Sequence, residues 1–322
     1  MSSKLNENGL TGWDCTSWLS RYRDDNNPNI DYHSLQREVY DNTVAIVKSG
    51  RYLSVSGREV VLDSEIISQS YKRTVFYKDT REIDIPKPDI LQETRTYTIG
   101  ADCLETTRLL QLTGYYPAVL NMASGSNPGG GVHHGAGAQE ENLFRRSTAF
   151  TSMYQFVDYC YDYGVKRNPE YSYPIPRESG GIYTPDIIVF RSSERAGYHL
   201  LDIPYRMNMI SVAAISNPPL ENINGNLLLI EDMIKPTKEK IRAILRIGKA
   251  NAHDAFVLGA FGCGAFANPP EHIAELFQEV FSEEEFQGVF KLIVFSIIQD
   301  HNNHRKHNPQ GNVIPFQKVF NN

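Results

Sequence analysis

The spacing of apolar residues predicts a small region of helix and hairpin near the start of the chain. Between residues 34 and 48 apolar side chains recur every three or four positions, which is typical of a helix packed on one face. Residues 52–62 then alternate around Ser56-Gly57, which predicts a β-hairpin. Residues 1–33 are rich in Asn, Asp, Ser and Gly, so we expect little regular structure there, with Trp13 and Trp18 as two docking points.

Strand and helix patterns alternate along the rest of the chain. The boundary is Pro86-Lys87-Pro88, because successive prolines do not continue a helix. The predicted strands are 93–99, 117–122, 187–191, 208–215, 254–261 and 290–298, and the predicted helices are 104–112, one opening near 139, 226–252 and 270–282. This alternation favours an α/β sandwich with a mostly parallel central sheet, in which ligands bind at the carboxyl ends of the strands.

The charges are mixed along the chain. There are 38 acidic and 32 basic residues among 322, a formal charge of −6, and no basic stretch that would attract nucleic acid over long range. A polyanionic ligand must therefore be bound by local groups. We do not expect the protein to attract and bind nucleic acid directly through long-range electrostatics.

Cysteine usage and the terminal sequence favour a reducing compartment. The cysteines Cys15, Cys103, Cys160 and Cys263 are scattered and form no CxxC pair, so neither a disulfide framework nor a cysteine zinc site is predicted. The most apolar run, residues 255–267, is interrupted by glycines and is shorter than the roughly 20 residues of a membrane helix. Since the first residues lack a secretory apolar region, we expect a cytoplasmic or nuclear protein without membrane attachment.

Residues 121–141 form the most informative segment, because they lead from a predicted strand through a glycine-rich loop into a helix. Such a loop offers unpaired backbone N–H groups to phosphate oxygens, which suggests a diphosphate ligand. Gln139, Glu140 and Glu141 follow at once, and paired carboxylates beside a sugar suggest glycosidic chemistry. Each feature also has an ordinary explanation, namely a flexible turn and a solvated acidic helix start. The loop is neither a Walker motif nor a dinucleotide fingerprint, which disfavours kinases and dehydrogenases.

The spacing in this loop resembles a known family signature. Gly129-Gly130-Gly131, seven intervening residues and Gln139-Glu140-Glu141 are similar to the signature of microbial-type poly(ADP-ribose) glycohydrolases, which are built on a macrodomain. Residues 258–270, with Gly262-Cys263-Gly264, resemble the second ligand loop of that family. The resemblance covers roughly residues 36–300. It implies a three-layer α/β/α sandwich with a mixed central sheet, a catalytic domain at 89–322, and an N-terminal extension and accessory region at 1–88.

The resemblance also implies roles for single residues. Glu141 would protonate the leaving oxygen and then activate water, while Glu140 would hold ribose hydroxyls, supported by Gln139. Asn121 and Asn127 resemble asparagines that bracket the ribose, although each also suits a residue that satisfies backbone groups. Asp102 is left open between an adenine contact and a helix cap.

The second loop would contact the diphosphate and the terminal sugar. Gly262, Cys263, Gly264 and Ala265 would present the loop to the ligand, with N–H groups of the first three on the diphosphate, and Phe266 would pack on the sugar or in the core. Cys263 is interpreted as an inert buried thiol rather than a nucleophile, because no base lies beside it in sequence.

No metal and no cofactor are predicted. His133 and His134 lie in the first loop, and His301, His304 and His307 form a spaced series in the C-terminal tail. We interpret the first pair as residues that tune access to the site or as a solvated loop, and the tail series lies in a stretch without predicted order.

Three functions remain in view. The first is exo-type hydrolysis of the ribose–ribose bond of poly(ADP-ribose) on modified proteins, releasing ADP-ribose. The second keeps the fold but removes a single ADP-ribose from a protein or nucleobase. The third is a module that binds ADP-ribose without cutting it, against which the paired acids argue. The Tyr- and Pro-rich residues 159–179 depart from the family pattern and are expected to reshape the rim of the site.

Overall fold

A computed structural model describes residues 11–24, 26–83, 93–299 and 303–321. Its helices are α1 (Cys15–Tyr22), α2 (Tyr32–Ser49), α3 (Ser64–Arg73), α4 (Cys103–Leu112), α5 (Gln139–Arg146), α6 (Ala149–Met153), α7 (Glu231–Ala250), α8 (Pro270–Phe281) and α9 (Val313–Phe320). Its strands are β1 (Arg51–Leu53), β2 (Glu59–Val61), β3 (Val75–Tyr77), β4 (Arg95–Ile99), β5 (Pro117–Met122), β6 (Gly181–Arg191), β7 (Leu200–Val212), β8 (Leu220–Ile223), β9 (Asn226–Leu229), β10 (Ala255–Leu258) and β11 (Leu292–Ser296).

Seven strands form a central mixed sheet in the order β3-β6-β7-β5-β10-β11-β4. The pairs β7–β5, β5–β10, β10–β11 and β11–β4 are parallel, and β3 runs antiparallel to β6. Helices flank this sheet, so the predicted α/β sandwich with a mixed central sheet is confirmed. Strand β10 is buried along its whole length and β5 at every position except Met122, which explains why their sequences are largely apolar.

The chain divides into two compact units. The first unit comprises Met1–Thr74, Ser126–Tyr173 and Thr184–Met207, and the second comprises Val75–Gly125, Pro174–Tyr183 and Asn208–Asn322. The strands β6 and β7 each contribute residues to both units. The predicted boundary at Pro86-Lys87-Pro88 lies outside the described residues, and the division at residue 88 stays a prediction.

In the first unit, α2 is the central helix. Asp31 caps its N-terminus by accepting from Ser34 N at 2.9 Å, and Gly50 ends it in a left-handed conformation. The predicted helix at 34–48 and the hairpin at 52–62 are confirmed as α2 and the antiparallel pair β1–β2. One apolar cluster joins this module to β6 and β7; its buried members are Ile46, Tyr52, Val60, Leu62, Ile188, Phe190 and Leu200.

The N-terminal extension is more ordered than the sequence predicted. Residues Cys15–Tyr22 form α1, so the expectation of little regular structure was wrong for this stretch. The cause is tertiary: Trp18 is fully buried and donates to Leu35 O at 3.0 Å, while Trp13 donates to Gly197 O at 2.8 Å. Both tryptophans are therefore confirmed as docking points.

The core of the second unit is aromatic. Phe277, Phe295 and Phe316 lie at its centre, and Phe316 comes from α9, a helix that the sequence analysis did not place. The predicted helix at 226–252 was wrong at its start, because residues 226–229 form β9 and pair with β8. Asn224 and Gly225 both have positive φ, the conformation that Asn-Gly adopts in tight hairpins.

No helix in the described ranges combines the length and apolarity needed to cross a lipid bilayer.

Candidate active site

The paired acids lie at the start of α5 and are buried. Glu140 is 3% exposed and Glu141 is 7% exposed, although both carry carboxylates in the first turn of a helix. Each turns one oxygen back to the preceding glycine loop: Gly129 N donates to Glu140 Oε1 at 3.0 Å, and Gly131 N donates to Glu141 Oε1 at 2.8 Å. These two backbone hydrogen bonds fix the orientation of both carboxyl groups relative to the loop.

Only glycine fits the turn that makes these contacts. Gly130 has φ +54°, and a Cβ there would lie 2.5 Å from Glu141 Oε1 and 3.1 Å from Glu140 Oε2. Gly129 has φ +80°, and its Cβ would lie 2.8 Å from the Phe144 ring. The backbone of the loop can approach the carboxylates this closely only because these positions are glycine.

The far end of the loop is attached to α2. His33 Nδ1 lies 3.1 Å from the Gly135 carbonyl oxygen and must donate to it. The buried Arg145 donates to the carbonyls of Ala136 and Gln36, the latter at 3.2 Å from Nε. A cation on helix α5 therefore connects helix α2 to the loop that faces the acids, which fixes the loop at both ends.

His133 lies in a cluster of tyrosines. Its Nε2 is 3.0 Å from the Tyr154 hydroxyl and its Nδ1 is 2.9 Å from the Tyr163 hydroxyl, while Tyr154 shares a further 2.6 Å hydrogen bond with Tyr40. Burial, and then the neighbouring His134, lower the pKa of His133, so the neutral ring is favoured near pH 7. His133 holds the loop in place, whereas His134 is exposed.

The second oxygen of Glu141 is the chemically available atom of the pair. Glu141 Oε2 is shielded from solvent and accepts no hydrogen bond from any residue that the structure describes. A carboxyl group with one oxygen fixed by the backbone and the other turned to a shielded space is suited to exchange a proton with a bound ligand.

The second glycine loop lies in the second unit, between β10 and α8. Gly262 has φ +76°, and a Cβ there would lie 2.6 Å from the Asn268 amide nitrogen. Asn268 in turn donates to Ile215 O at 2.8 Å and to Gly262 O at 3.1 Å. The amide of one buried asparagine thus holds the turn that the sequence analysis assigned to phosphate binding.

The C-terminal segment also supports this loop. His307 Nε2 donates to the Cys263 carbonyl at 2.9 Å, and Asn308 Nδ2 donates to the same oxygen at 3.3 Å. Cys263 is fully buried, and burial raises the pKa of its thiol, which agrees with an inert thiol.

The other predicted site residues occupy varied environments. Asn121 is buried at the end of β5, where its amide donates to Ser211 Oγ at 3.0 Å. Asn127 is exposed, and its carbonyl accepts from Gly130 N at 3.1 Å. Gln139, Gly264 and Phe266 are half-buried, whereas Ala265 is exposed.

Asp102 caps α4 by accepting from Leu104 N at 3.0 Å and Glu105 N at 3.1 Å, as its second interpretation predicted. His301 lies outside the described residues. Within the described ranges no three His, Cys, Asp or Glu side chains are grouped to hold a metal ion.

Comparison with known proteins agrees with this arrangement. Residues 41–192 match the family model described as the microbial-type PARG catalytic domain. A poly(ADP-ribose) glycohydrolase from Thermomonospora curvata, bound to the inhibitor ADP-HPD, is 28% identical with a TM-score of 0.69, over 88% of this chain and 99% of that one. The chain is therefore similar to the microbial-type poly(ADP-ribose) glycohydrolases. The predicted resemblance is confirmed.

Two further structures extend the comparison. A second structure of the Thermomonospora curvata glycohydrolase is 28% identical with a TM-score of 0.70, over 88% of this chain and 99% of that one. A glycohydrolase from Deinococcus radiodurans in complex with ADP-ribose is 23% identical with a TM-score of 0.60, over 81% of this chain and 98% of that one, and supports the fold alone. No curated protein matches the chain. The match to the PARG catalytic domain includes the loop of Glu140 and Glu141 but ends before Gly262.

Sequence reasoning missed several residues around these loops. His307 and Asn308 were assigned to a tail without predicted order, and Arg145 was not singled out. Tyr173 was noted only as part of a Tyr- and Pro-rich stretch. The available signal was weak, because His307 and Asn308 bind Cys263 more than forty positions away and Arg145 reaches Gln36 on another helix.

Proposed function

We propose that this chain is a poly(ADP-ribose) glycohydrolase that hydrolyses the ribose–ribose bond and releases ADP-ribose, with Glu141 as general acid and base. In the first step Glu141 gives its proton to the leaving ribose oxygen as the glycosidic C–O bond breaks. Water then adds to the anomeric carbon and returns a proton to Glu141. Glu140 holds hydroxyls of the reacting ribose.

The observation that carries this proposal is the burial of two adjacent carboxylates, each bonded to the glycine loop through one oxygen, with Glu141 Oε2 left for a ligand. Burying two acids side by side costs stability, because both carboxylates lose water and repel each other. This cost favours a functional role for the pair over a solvated helix start. The structures of poly(ADP-ribose) glycohydrolases that resemble this chain support the same reaction.

The remaining predicted contacts are part of the same proposal. We assign Asn121, Asn127, Gln139 and the backbone of residues 129–131 to the ribose and its phosphates. Gly262, Cys263, Gly264, Ala265 and Phe266 are assigned to the diphosphate and terminal sugar. The N–H groups of Gly129 and Gly131 already bind Glu140 and Glu141, so the loop acts on the ligand chiefly by positioning these acids. The modified protein that carries the polymer is the proposed partner.

The test compares substrates and one conservative variant. Purified protein is incubated with poly(ADP-ribose) and, separately, with mono-ADP-ribosylated protein, and released ADP-ribose is measured. We expect release from the polymer, and a loss of about 10²-fold or more in kcat for Glu141→Gln, because the amide cannot exchange the proton. Glu105→Gln is the matched control, since Glu105 also lies in the first turn of a helix but is exposed.

Each result has a defined meaning. Polymer hydrolysis that persists undiminished in Glu141→Gln contradicts the mechanism. Release from the monomeric conjugate alone moves the assignment to a mono-ADP-ribosyl hydrolase. Binding of ADP-ribose without any release leaves a non-catalytic reader.

A further inference from the structure

In the Tyr- and Pro-rich segment that departs from the family pattern, residues 167–173 are hydrogen-bonded within the first unit. Arg167 Nη1 donates to three carbonyl oxygens, those of Gln155 at 3.0 Å, Asn168 at 2.7 Å and Tyr171 at 2.7 Å. Asn168 N donates to Gln155 O at 2.7 Å. The Arg167 guanidinium thus connects this turn to the 3-10 helix Tyr154–Phe156, so the turn is a fixed part of the unit.

This arrangement determines where the end of the segment lies. Tyr173 N donates to Phe156 O at 2.9 Å, which fixes the backbone from which the Tyr173 side chain projects. The side chain of Asn168 closes the turn that precedes Tyr173. Asn168 Oδ1 accepts hydrogen bonds from Glu170 N and Tyr171 N, both at 2.9 Å. The ring of Tyr173 is therefore placed by backbone hydrogen bonds on both sides of the turn.

The hydroxyl of Tyr173 is buried and has no hydrogen-bond partner among the residues described. The same is true of Glu141 Oε2 in the same unit. Buried hydroxyl groups in folded proteins nearly always have a partner, so a shielded phenol without one is an exception that requires a reason. Arg145 Nη1 and Ser192 Oγ are further such atoms in this unit, so the Tyr173 hydroxyl is assigned to a ligand because of its place near Glu140 as well.

Tyr173 lies near enough to Glu140 for the charge of that carboxylate to act on its phenol. Burial, followed by the charges of Glu140 and Tyr159, raises the pKa of Tyr173 well above its usual value. The phenol therefore keeps its proton near pH 7 and is available as a hydrogen-bond donor. A donor beside a carboxylate that accepts is the pair of groups that a sugar hydroxyl needs.

We propose that Tyr173 is a substrate-binding residue whose hydroxyl donates a hydrogen bond to an oxygen of the ribose that Glu140 holds. This inference rests on the proposed function of the acid pair, but it concerns a residue of the segment that departs from the family pattern. The donation acts on the bound sugar before and during the reaction, so it strengthens binding more than it accelerates the chemical step.

The variant Tyr173→Phe tests this with a single atom removed. We expect the Kd for ADP-ribose, measured by calorimetry, to rise about 5- to 10-fold, the usual effect of losing one hydrogen bond to a neutral group. The KM for poly(ADP-ribose) should rise by a similar factor while kcat changes less than about 3-fold. The Tm of the ligand-free protein should not fall, because the removed hydroxyl has no hydrogen-bond partner among the described residues.

Tyr161→Phe is the matched control, because Tyr161 belongs to the same segment but its ring is 69% exposed. It should leave both Kd and KM unchanged. A Tyr173→Phe protein that binds ADP-ribose as tightly as the wild type overturns the inference, and so does a lower Tm without ligand, which would show a structural role. If the wild type does not cleave the polymer, the proposed function fails, whereas an active wild type with an unaffected Tyr173→Phe removes only this inference.

Discussion

Gly130 is the residue on which the geometry of the acid pair depends most directly. Its positive φ lets the chain reverse above the start of α5, and its missing side chain leaves room for both carboxylates. The two acids are only neighbours in sequence until this turn gives each a backbone donor. Their shared orientation therefore depends on a residue that carries no chemistry of its own.

Gly130→Ala is expected to lose activity more than stability. The left-handed conformation costs a residue with a Cβ about 1–2 kcal/mol, and the new Cβ would displace the Glu141 carboxylate. Displacement of a catalytic carboxylate from its position is expected to lower kcat/KM by roughly 10²-fold. Hydrolysis assays and chemical denaturation check both numbers.

Gly12→Ala is the control for Gly130→Ala, since a Cβ at Gly12 meets nothing within 4 Å and its φ is not in the left-handed range. Wild-type activity in Gly130→Ala would show that the loop tolerates a side chain and that the acids are not placed by it.

His253 gives the protein a pH-dependent stability. Its Nδ1 lies 3.0 Å from Tyr116 O and must donate to it, so Nε2 accepts from the Tyr183 hydroxyl at 3.0 Å, which requires the neutral ring. Burial lowers the pKa of His253 from 6.5 to about 4. At pH values between these two pKa values, His253 is protonated in the unfolded chain but neutral in the folded chain. The free energy of unfolding therefore falls as pH falls.

Because of His253, the free energy of unfolding is expected to fall by on the order of 3 kcal/mol between pH 6.5 and 4, and His253 adds no pH dependence above pH 7. Urea unfolding of wild type and His253→Gln at several pH values measures it, and the variant should show the shallower slope. Burial also lowers the pKa values of His133 and His272, so only the difference between the two proteins isolates His253. Equal slopes would contradict the assignment.

At the scale of elements, the C-terminal segment stabilises a loop that precedes it by more than forty residues. His307 and Asn308 both donate to the Cys263 carbonyl, and Asn308 also donates to Asn312 Oδ1 at 2.9 Å. The following helix α9 is anchored by Phe316 and Phe320 in the core of the second unit. Burial of α9 therefore fixes the position of the two donors, and the donors fix the backbone of the loop.

Asn308→Ala should destabilise the protein by about 1–3 kcal/mol, because Asn308 is fully buried and its loss leaves buried acceptors unpaired. If the loop binds the diphosphate as proposed, the Kd for ADP-ribose should rise as well, with kcat less affected. Calorimetry on the folded variant at low temperature separates the two effects.

Lys306→Ala is the control for Asn308→Ala, since Lys306 lies in the same turn and is exposed. Unchanged ADP-ribose affinity in a folded Asn308→Ala protein would contradict a role of this segment in supporting the loop.

At the scale of the whole molecule, the N-terminal region and the acid loop belong to one compact unit. Thr43 on α2 donates to Arg145 O and accepts from Arg191 Nε at 2.9 Å. Gln36 Oε1 accepts from the Tyr198 hydroxyl at 3.0 Å. Two buried guanidinium groups therefore depend on a helix that lies far away from them in sequence, and removing one partner of a buried charge is strongly destabilising.

A fragment of residues 89–322 tests this dependence. Without α2 the first unit loses its central helix, so we expect the fragment to bind no ADP-ribose and to show poor dispersion in NMR spectra for residues 126–173. The full chain, prepared in parallel, should bind and unfold cooperatively. A fragment that folds and hydrolyses the polymer would support the predicted division at residue 88 and would contradict this dependence.

The sequence by itself determined the local structure. Apolar patterning located α2 and β5 within two residues of their observed bounds, and the end of the glycine loop located the start of α5. The glycine loop and the pair Glu140-Glu141 were also visible, since residues adjacent in the chain remain adjacent in the fold. The turn Asn224-Gly225 carried a hairpin signal that was overlooked.

Only the tertiary structure decided what depends on partners distant in the chain. Burial of Glu140 and Glu141, the tie between His307 and Cys263 across 44 positions, the order of α1 and the placement of the Tyr173 hydroxyl all arise when separate segments pack together. A residue's own neighbours in sequence fix its backbone preference. Its solvent exposure, its charge state and its hydrogen-bond partners are set by whichever segments the hydrophobic core brings against it.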